Sequence, residues 1–229
     1  QVLVILLEPI KQDLNLNDTQ LGLLSGLGFA LFYATLGIPI AMWADRGVRR
    51  NILALALAIW SGMTVLSGLA QNYTHLLLAR MGVGVGEAGG TPPSTSMIAD
   101  LYPPEDRATA LGVYTFGIGL GILIGFPLGG FVAEAYGWRA AFFVAGAPGL
   151  LLALIVRLTV KEPIRGLSEQ RTDTGKAPGF GETLSFIFSQ PALLWLLSGC
   201  TLICISANGF LAWTAPFLIR SFGEGVSPF

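Results

Sequence analysis

The stretch Ala41-Met42-Trp43-Ala44-Asp45-Arg46-Gly47-Val48-Arg49-Arg50 sets one acidic and three basic residues between two long apolar runs, 19–44 and 51–71. A transmembrane helix needs about 20 mostly apolar residues. Both runs meet that, so the charged stretch reads as a short loop at a membrane surface. Outward from it, further apolar segments lie near 75–99, 108–133, 139–160 and 191–219, with a partial first span ending near Pro9. The composition agrees, with 53% hydrophobic and 12% charged residues, against about 25% charged in a soluble domain. A net charge of -1 and two cysteines exclude a nucleic-acid binder and a disulfide scaffold, and the low charge excludes disorder.

Orientation follows from Lys and Arg in the connections. One side holds Arg46, Arg49, Arg50, Arg107, Arg157, Lys161, Arg165, Arg171 and Lys176; the other holds Lys11, Arg139 and Arg220. The richer side is expected to be cytoplasmic, which makes the N-terminus cytoplasmic as well. Gln1 opens directly into Val2-Leu3-Val4-Ile5-Leu6-Leu7, so the expectation is a helix whose beginning is absent and a chain that is a fragment. The polar connection 161–182 separates six spans from a seventh. Glu182 to Gln190, with Phe186, Ile187 and Phe188, reads as an interfacial helix broken from the last span at Pro191. The predicted divisions are 1–160, a six-helix bundle with its first helix partial; 161–190, a cytoplasmic linker with the interfacial helix; and 191–229, beginning with the seventh helix.

Local signals add detail. Asn17 is placed as an N-cap with Gln20 at N3, and Leu16 and Leu21 as a hydrophobic staple. Small residues recur every four positions at Gly22, Gly26, Ala30 and Ala34, and again at Gly117, Gly121, Gly125, Gly129 and Ala133. That spacing lines one helix face and admits a close neighbour. Static packing and a seam whose packing changes in a working cycle are both consistent with it.

The fourth span carries the charge. It reads Arg80-Met81-Gly82-Val83-Gly84-Val85-Gly86-Glu87-Ala88-Gly89-Gly90-Thr91-Pro92-Pro93. Glu87 falls roughly 18 Å from the outer end, near the bilayer midplane. An ionised group there costs at least about 2.5 kcal/mol, so it normally faces a cavity or a partner. Arg80, Gly84, Glu87, Thr91 and Ser94 share one helix face. Arg80 and Glu87 are about 10 Å apart along the axis, too far for an i,i+4 ion pair, so each is expected to need a partner elsewhere. Pro92 and Pro93 free the carbonyls of Ala88 and Gly89. Glu87 is either a structural acid held neutral or a proton-titrating group in a pathway; Arg80 is either structural or a substrate or coupling residue. Gly84 to Gly89 also matches G-x-G-x-x-G, but a dinucleotide site needs a preceding strand and a continuous following helix, and neither is expected in a membrane span.

The 41–50 stretch resembles the G-x-x-x-D-R-x-G-R-R signature of the major facilitator superfamily, with Ala41 and Val48 at the glycine positions. Arg80 to Gly84 is similar to that family's fourth-helix pattern. Gly121 to Gly130 resembles its fifth-helix signature, with Phe126 at the proline position and Pro127 next. Gly137-Trp138-Arg139 with Phe142 and Glu162-Pro163 resemble the entry and exit of its sixth helix. Leu6-Leu7-Glu8-Pro9-Ile10-Lys11, Gly86-Glu87-Ala88 and Asp100-Leu101-Tyr102-Pro103 look like the spinster branch.

The resemblance implies an all-α membrane protein: the six-helix N-terminal half of a twelve-helix carrier plus one further helix, the start of the second half. It implies alternating access for a small or amphiphilic, lysolipid-like solute. Proton coupling is assigned to Glu87, with Arg80, Thr91, Ser94, Asn208 and Trp213 along the pathway. Asp45, Arg46, Arg49 and Arg50 are read as a conformational gate facing the missing C-terminal half. A uniporter or channel without proton coupling is the alternative. An embedded enzyme is disfavoured by a single histidine and no acidic cluster at depth. No cofactor or metal is expected. The partners are the bilayer, the solute, protons and the absent half, in a bacterial inner membrane. Ser206, Asn208 and Gly209 are expected to interrupt the seventh span, with Trp213 one turn on. Cys200 and Cys204 read as small buried hydrophobes, and His75 as an interfacial residue.

Overall fold

The first helical stretch shows what a proline does. Pro9 has no amide to offer the Ile5 carbonyl, and the chain bends at Leu6 into α1 (Val2–Ile5) and α2 (Leu7–Leu14). Helix therefore continues past Pro9, where the apolar run had suggested an end, and stops at Asn15 in a left-handed conformation (φ 52°). The computed structural model describes residues 2–166, 168 and 179–222, with the backbone alone at 212, 215, 219, 220 and 222. Arg171 and Lys176 of the predicted linker lie outside the described residues, as does the predicted stretch 223–229.

Asn17 starts the next rod. Its Oδ1 accepts from the Gln20 amide while its own amide donates to Gln20 Oε1, both at 2.9 Å. This is the reciprocal capping box predicted, and Leu16 and Leu21 are both buried in one cluster. The rod runs through α3 (Asp18–Gly22), a π-helical turn (Leu23–Leu27) and α4 (Gly28–Arg46). Then follow α5 (Arg49–Ser67), α6 (Tyr73–Ala88), α7 (Thr91–Leu101), α8 (Pro104–Tyr136), α9 (Trp138–Thr159), α10 (Phe180–Ser189) and α11 (Pro191–Phe222). Among the described residues there is no strand.

Among the described residues, five helical segments are long and apolar enough to cross a membrane: Asp18–Arg46, Arg49–Ser67, Pro104–Tyr136, Trp138–Thr159 and Pro191–Leu211. The predicted fourth span is absent from that set for a physical reason. It is broken at Gly89–Gly90, so neither α6 nor α7 alone has the length. Pro92 and Pro93 sit in the first turn of α7, where a missing N–H leaves nothing unmade. They start a second helix rather than kink a continuous one.

The chain divides into two compact units, one running to residue 169 and one from residue 170. In the first, α5 packs against both α6 and α9, α6 also packs against α4, and α9 against α8, which meets α1. Its largest buried cluster joins Leu3, Leu7 and Ile10 to Leu21, Leu24, Leu76, Trp138 and Phe142. That cluster lies at the end where α2 stops and α9 begins. There Asp13 Oδ2 accepts from Arg139 (2.8 Å) and from Trp138 Nε1 (3.3 Å), and Arg139 donates to the Ala70 carbonyl (3.2 Å). Gly137 turns α8 into α9 at φ 83°, a conformation that a side chain at that position would strain.

In the second unit, α10 and α11 are separate helices meeting at Gln190–Pro191, as predicted, and Pro191 takes the first helical position of α11. The expected interruption at Ser206–Gly209 is not there. Asn208 turns its Nδ2 back to the Cys204 carbonyl (2.8 Å), which satisfies the amide within an unbroken helix. Cys200 and Cys204 are exposed rather than buried in the unit. Large apolar side chains point outward throughout, Leu158 at 72% exposure and Trp195 at 79%. Such a surface suits lipid, in which an exposed leucine costs nothing.

Glycines fix how closely the helices approach. A Cβ on Gly86 would lie 2.5 Å from the Trp60 amide nitrogen, whereas one on Gly119 meets nothing within 4 Å. Replacing Gly86 by Ala is expected to cost about 1–3 kcal/mol through overpacking against backbone. Gly119→Ala is expected to be neutral or stabilising by up to about 1 kcal/mol. Melting curves of the detergent-solubilised protein read the difference, and equal midpoints for the two variants would contradict this account of the α5–α6 contact.

Candidate functional site

Residues Arg80, Gly84 and Glu87 lie on α6, which runs between α4 and α5. Gly84 and Gly86 point about 200° apart around the helix, and each admits a neighbour's backbone. A Cβ on Gly84 would meet the Phe29 carbonyl oxygen at 2.7 Å, and one on Gly86 the Trp60 nitrogen. The G-x-G-x-x-G match therefore belongs to helix packing inside α6, not to a loop that cradles phosphate.

Arg80 is 9% exposed. Its guanidinium carbon stands 5.6 Å from the centre of the Phe29 ring, within cation–π range. Its Nε is buried, and no hydrogen-bond partner meets it among the described residues. Glu87, near the C-terminal end of α6, is exposed within the unit. No ion pair joins it to Arg80 among the described residues. Immediately beyond it the backbone tightens, with the Gly89 amide donating to the Gly86 carbonyl and the Gly90 amide to the Glu87 carbonyl, both at 3.0 Å. The predicted polar stripe is thereby divided. Thr91 and Ser94 lie on α7, where Thr91 is exposed and Ser94 Oγ donates to the Gly90 carbonyl at 2.7 Å.

An open apolar cavity of about 360 Å³ lies nearby, lined by α4 (Leu36, Pro39, Ile40, Trp43), α5 (Ile52, Ala56) and α6 with its break (Val85, Gly86, Gly89). Neither Arg80 nor Glu87 lines it. Asn208 and Trp213 belong to α11 in the other unit; Asn208 is bonded to its own helix and Trp213 is partly exposed. Of the small-residue stripe on α8, Gly129 receives Ile5 and Val2 of α1, while positions 117, 121 and 125 meet nothing within 4 Å in the described chain.

The residues of the Arg-rich loop separate into two pairs. Asp45 and Arg46 are exposed. Arg49 is 1% exposed, and its guanidinium donates to four acceptors: Asp100 Oδ2 (2.5 Å), Ser96 Oγ (2.8 Å), Glu162 Oε1 (2.9 Å) and the Pro163 carbonyl (2.9 Å). The Arg50 amide donates to Glu162 Oε2 at 2.7 Å. Arg165 donates to the carbonyls of Ala44 (2.8 Å) and Gly47 (2.7 Å), and the Gly166 amide donates to Asp100 Oδ1 (2.9 Å). The segment after α9 is thus strapped across the ends of α4, α5 and α7. Burial alone would raise the Glu162 carboxyl, but the Arg50 amide and the Arg49 guanidinium together hold it below its ordinary value.

Phe29, Asp100, Glu162 and Arg165 carry interactions that the sequence reading assigned to no site. Asp100 and Glu162 were visible only as parts of motifs, and nothing in sequence spacing pairs them with Arg49.

The Major Facilitator Superfamily family model matches residues 1–228. An MFS-type efflux pump of Mycolicibacterium smegmatis is 35% identical over 97% of this chain and 51% of its own length. Human protein spinster homolog 1 is 29% identical over 94% of this chain and 42% of its length. A crystal structure of a bacterial homolog of the human lysosomal transporter Spinster, inward-facing and unoccupied, superposes with a TM-score of 0.80 at 40% identity. It covers 99% of this chain, which corresponds to 53% of that one. The chain spans about half the length of the relatives it matches.

The Glu162 clasp sets a pH dependence. A carboxyl with a depressed folded value stabilises the fold above its unfolded value, near 4.5, and that contribution is lost as pH falls through the lower folded value. The thermal midpoint is therefore expected to fall with acidification below about pH 4.5. Glu162→Gln should lower the midpoint at neutral pH, by about 1–3 kcal/mol in stability, and flatten the acid dependence. An unaltered acid limb in the variant would rule out Glu162 as its source.

Proposed function

The chain belongs to the Major Facilitator Superfamily, and from that premise we propose that it forms the first half, with the start of the second, of a spinster-like secondary transporter. Its divisions are the six-helix half (1–160), the connection with its short helix (161–190) and the opening of the second half (191–229). Two halves rock about a site near the bilayer midplane, in a bacterial inner membrane with the Arg-rich end in the cytoplasm.

One observation carries the reading. A buried guanidinium whose Nε meets no hydrogen-bond partner among the described residues and an exposed carboxyl group lie on the same helix, beside a break in a span. In lipid, both groups call for a cavity or a partner. In this reading Glu87 takes and releases a proton as its hydration changes, and Arg80 holds an anionic group of the solute. Thr91 and Ser94, across the break, and Asn208 and Trp213 on α11 line the same pathway. Asp45 and Arg46 are free to meet the second half as a gate, with Arg49 and Arg50 anchoring the loop beneath them. The open stripe at Gly117, Gly121 and Gly125 is the sliding face of the first half. A solute with an anionic head and an apolar tail fits a cationic group set among apolar helices, which favours an amphiphilic, lysolipid-like cargo.

The experiment is uptake into proteoliposomes carrying the full-length protein, driven by an imposed pH gradient. Glu87→Gln is expected to reduce gradient-driven uptake at least about tenfold while leaving slow exchange between identical solutions. Gradient-driven uptake equal to wild type would end the proton role. Loss of both gradient-driven uptake and exchange would move Glu87 from coupling to solute binding.

A further inference from the structure

We propose that Phe29 is a positioning residue for Arg80: its ring holds the guanidinium flat against α4, so that the in-plane N–H groups are presented to an anionic ligand. This rests on the reading above that Arg80 binds the anionic group of the solute.

Four observations converge on it. The guanidinium carbon lies 5.6 Å from the Phe29 ring centre, the geometry in which a ring face attracts a cation. Arg80 is 9% exposed and its Nε has no hydrogen-bond partner among the described residues, so beside the longer-range attraction of Glu87 on the same helix the ring is a direct contact that favours the buried charge. Phe29 is itself fixed, stacked on Tyr33 with centres 5.5 Å apart and planes 21° from parallel. Finally, the backbone is shaped to deliver the ring. Gly84 lets the Phe29 carbonyl approach to where a Cβ would stand 2.7 Å away.

The π-helical turn at Leu23–Leu27 supplies the register. Across such a turn residues five apart line up, so the buried Leu24 and Phe29 share the face toward α6. In an uninterrupted α-helix the fifth residue would point about 140° away, and Phe29 would miss Arg80. π-Turns recur at functional positions, and this one has a definable task.

A ring on one face of a guanidinium leaves its donor edges in plane, which suits the bidentate geometry of a carboxylate or a phosphate. An ammonium in the same place would lack both the flat face and the fork. The ring thus contributes to ligand affinity by holding the fork in one orientation before the ligand arrives.

The test uses the full-length carrier with phenylalanine at position 29 replaced by Leu, by Tyr, and by mono-, di- and trifluorophenylalanine. The fluorinated rings keep the shape and progressively weaken the attraction for a cation. Uptake of a fluorescent lysophosphatidylglycerol is measured in proteoliposomes. In parallel, the rate at which phenylglyoxal modifies Arg80 is followed by mass spectrometry, which needs no transported solute. Phe29→Leu should raise the apparent KM about tenfold with the maximal rate within about twofold. Phe29→Tyr should restore it, and the fluorinated series should raise KM and speed Arg80 modification stepwise. A flat series in both readouts, with Arg80→Gln still crippling uptake, overturns the positioning role and leaves the Arg80 reading intact. Uptake unchanged in Arg80→Gln overturns both. Should Phe29→Leu fail to fold, the isosteric fluorinated rings decide alone.

Discussion

A hydrocarbon surround offers no hydrogen-bond partner, so every amide and carbonyl in a span must be answered from within the protein. Most of the irregular features follow from that constraint. Serine and threonine hydroxyls at Ser25, Thr35, Thr64, Ser67, Thr115 and Thr201 all turn back to the carbonyl four residues earlier. Two departures from α geometry each lie partly against protein. The π-helical turn lies against α6, and the break at Gly89–Gly90 is closed by two tight backbone bonds and by the Ser94 hydroxyl. The buried Arg80 Nε and Tyr73 hydroxyl depart from that rule, meeting no hydrogen-bond partner among the described residues.

The same constraint governs the charged end. Burying a guanidinium is costly unless its donors are filled, and Arg49 fills them from α7 and from the segment after α9. The clasp is worth less as a source of stability than as a means of setting helix ends in register. The opposite end is organised differently, by Asp13, Trp138 and Arg139 above an apolar cluster.

Much of the fold was legible because membrane spans announce themselves by length and apolarity, and because local chemistry is local. The Asn17–Gln20 box and the division at Pro191 needed only neighbouring residues to be read. The fourth span was legible as apolar but not as broken, since Gly-Gly before Pro-Pro fits a kink as well as a restart. Asn208 looked like a helix breaker and proved otherwise, because its amide found a carbonyl one turn back. The site was readable as charge at depth, in Arg80 and Glu87, but not as geometry. Phe29 reaches Arg80 only through a π-turn that has no composition of its own. Glycine spacing likewise identified faces without saying which were occupied: the regular stripe on α8 is mostly open, and the tight contacts fall at Gly84 and Gly86.

The Arg49 clasp also bears on the order in which the protein is made. Its acidic partners lie 51 and 113 residues further along the chain. At ribosomal rates of about 5–20 residues per second, the Arg49 side chain leaves the ribosome on the order of ten seconds before Glu162 does. Asp100 follows less than halfway through that interval, so the guanidinium meets one carboxylate first and the clasp is completed only when Glu162 emerges. The clasp therefore closes only after the residues that follow α9 have been made, and this end of the unit is fastened last.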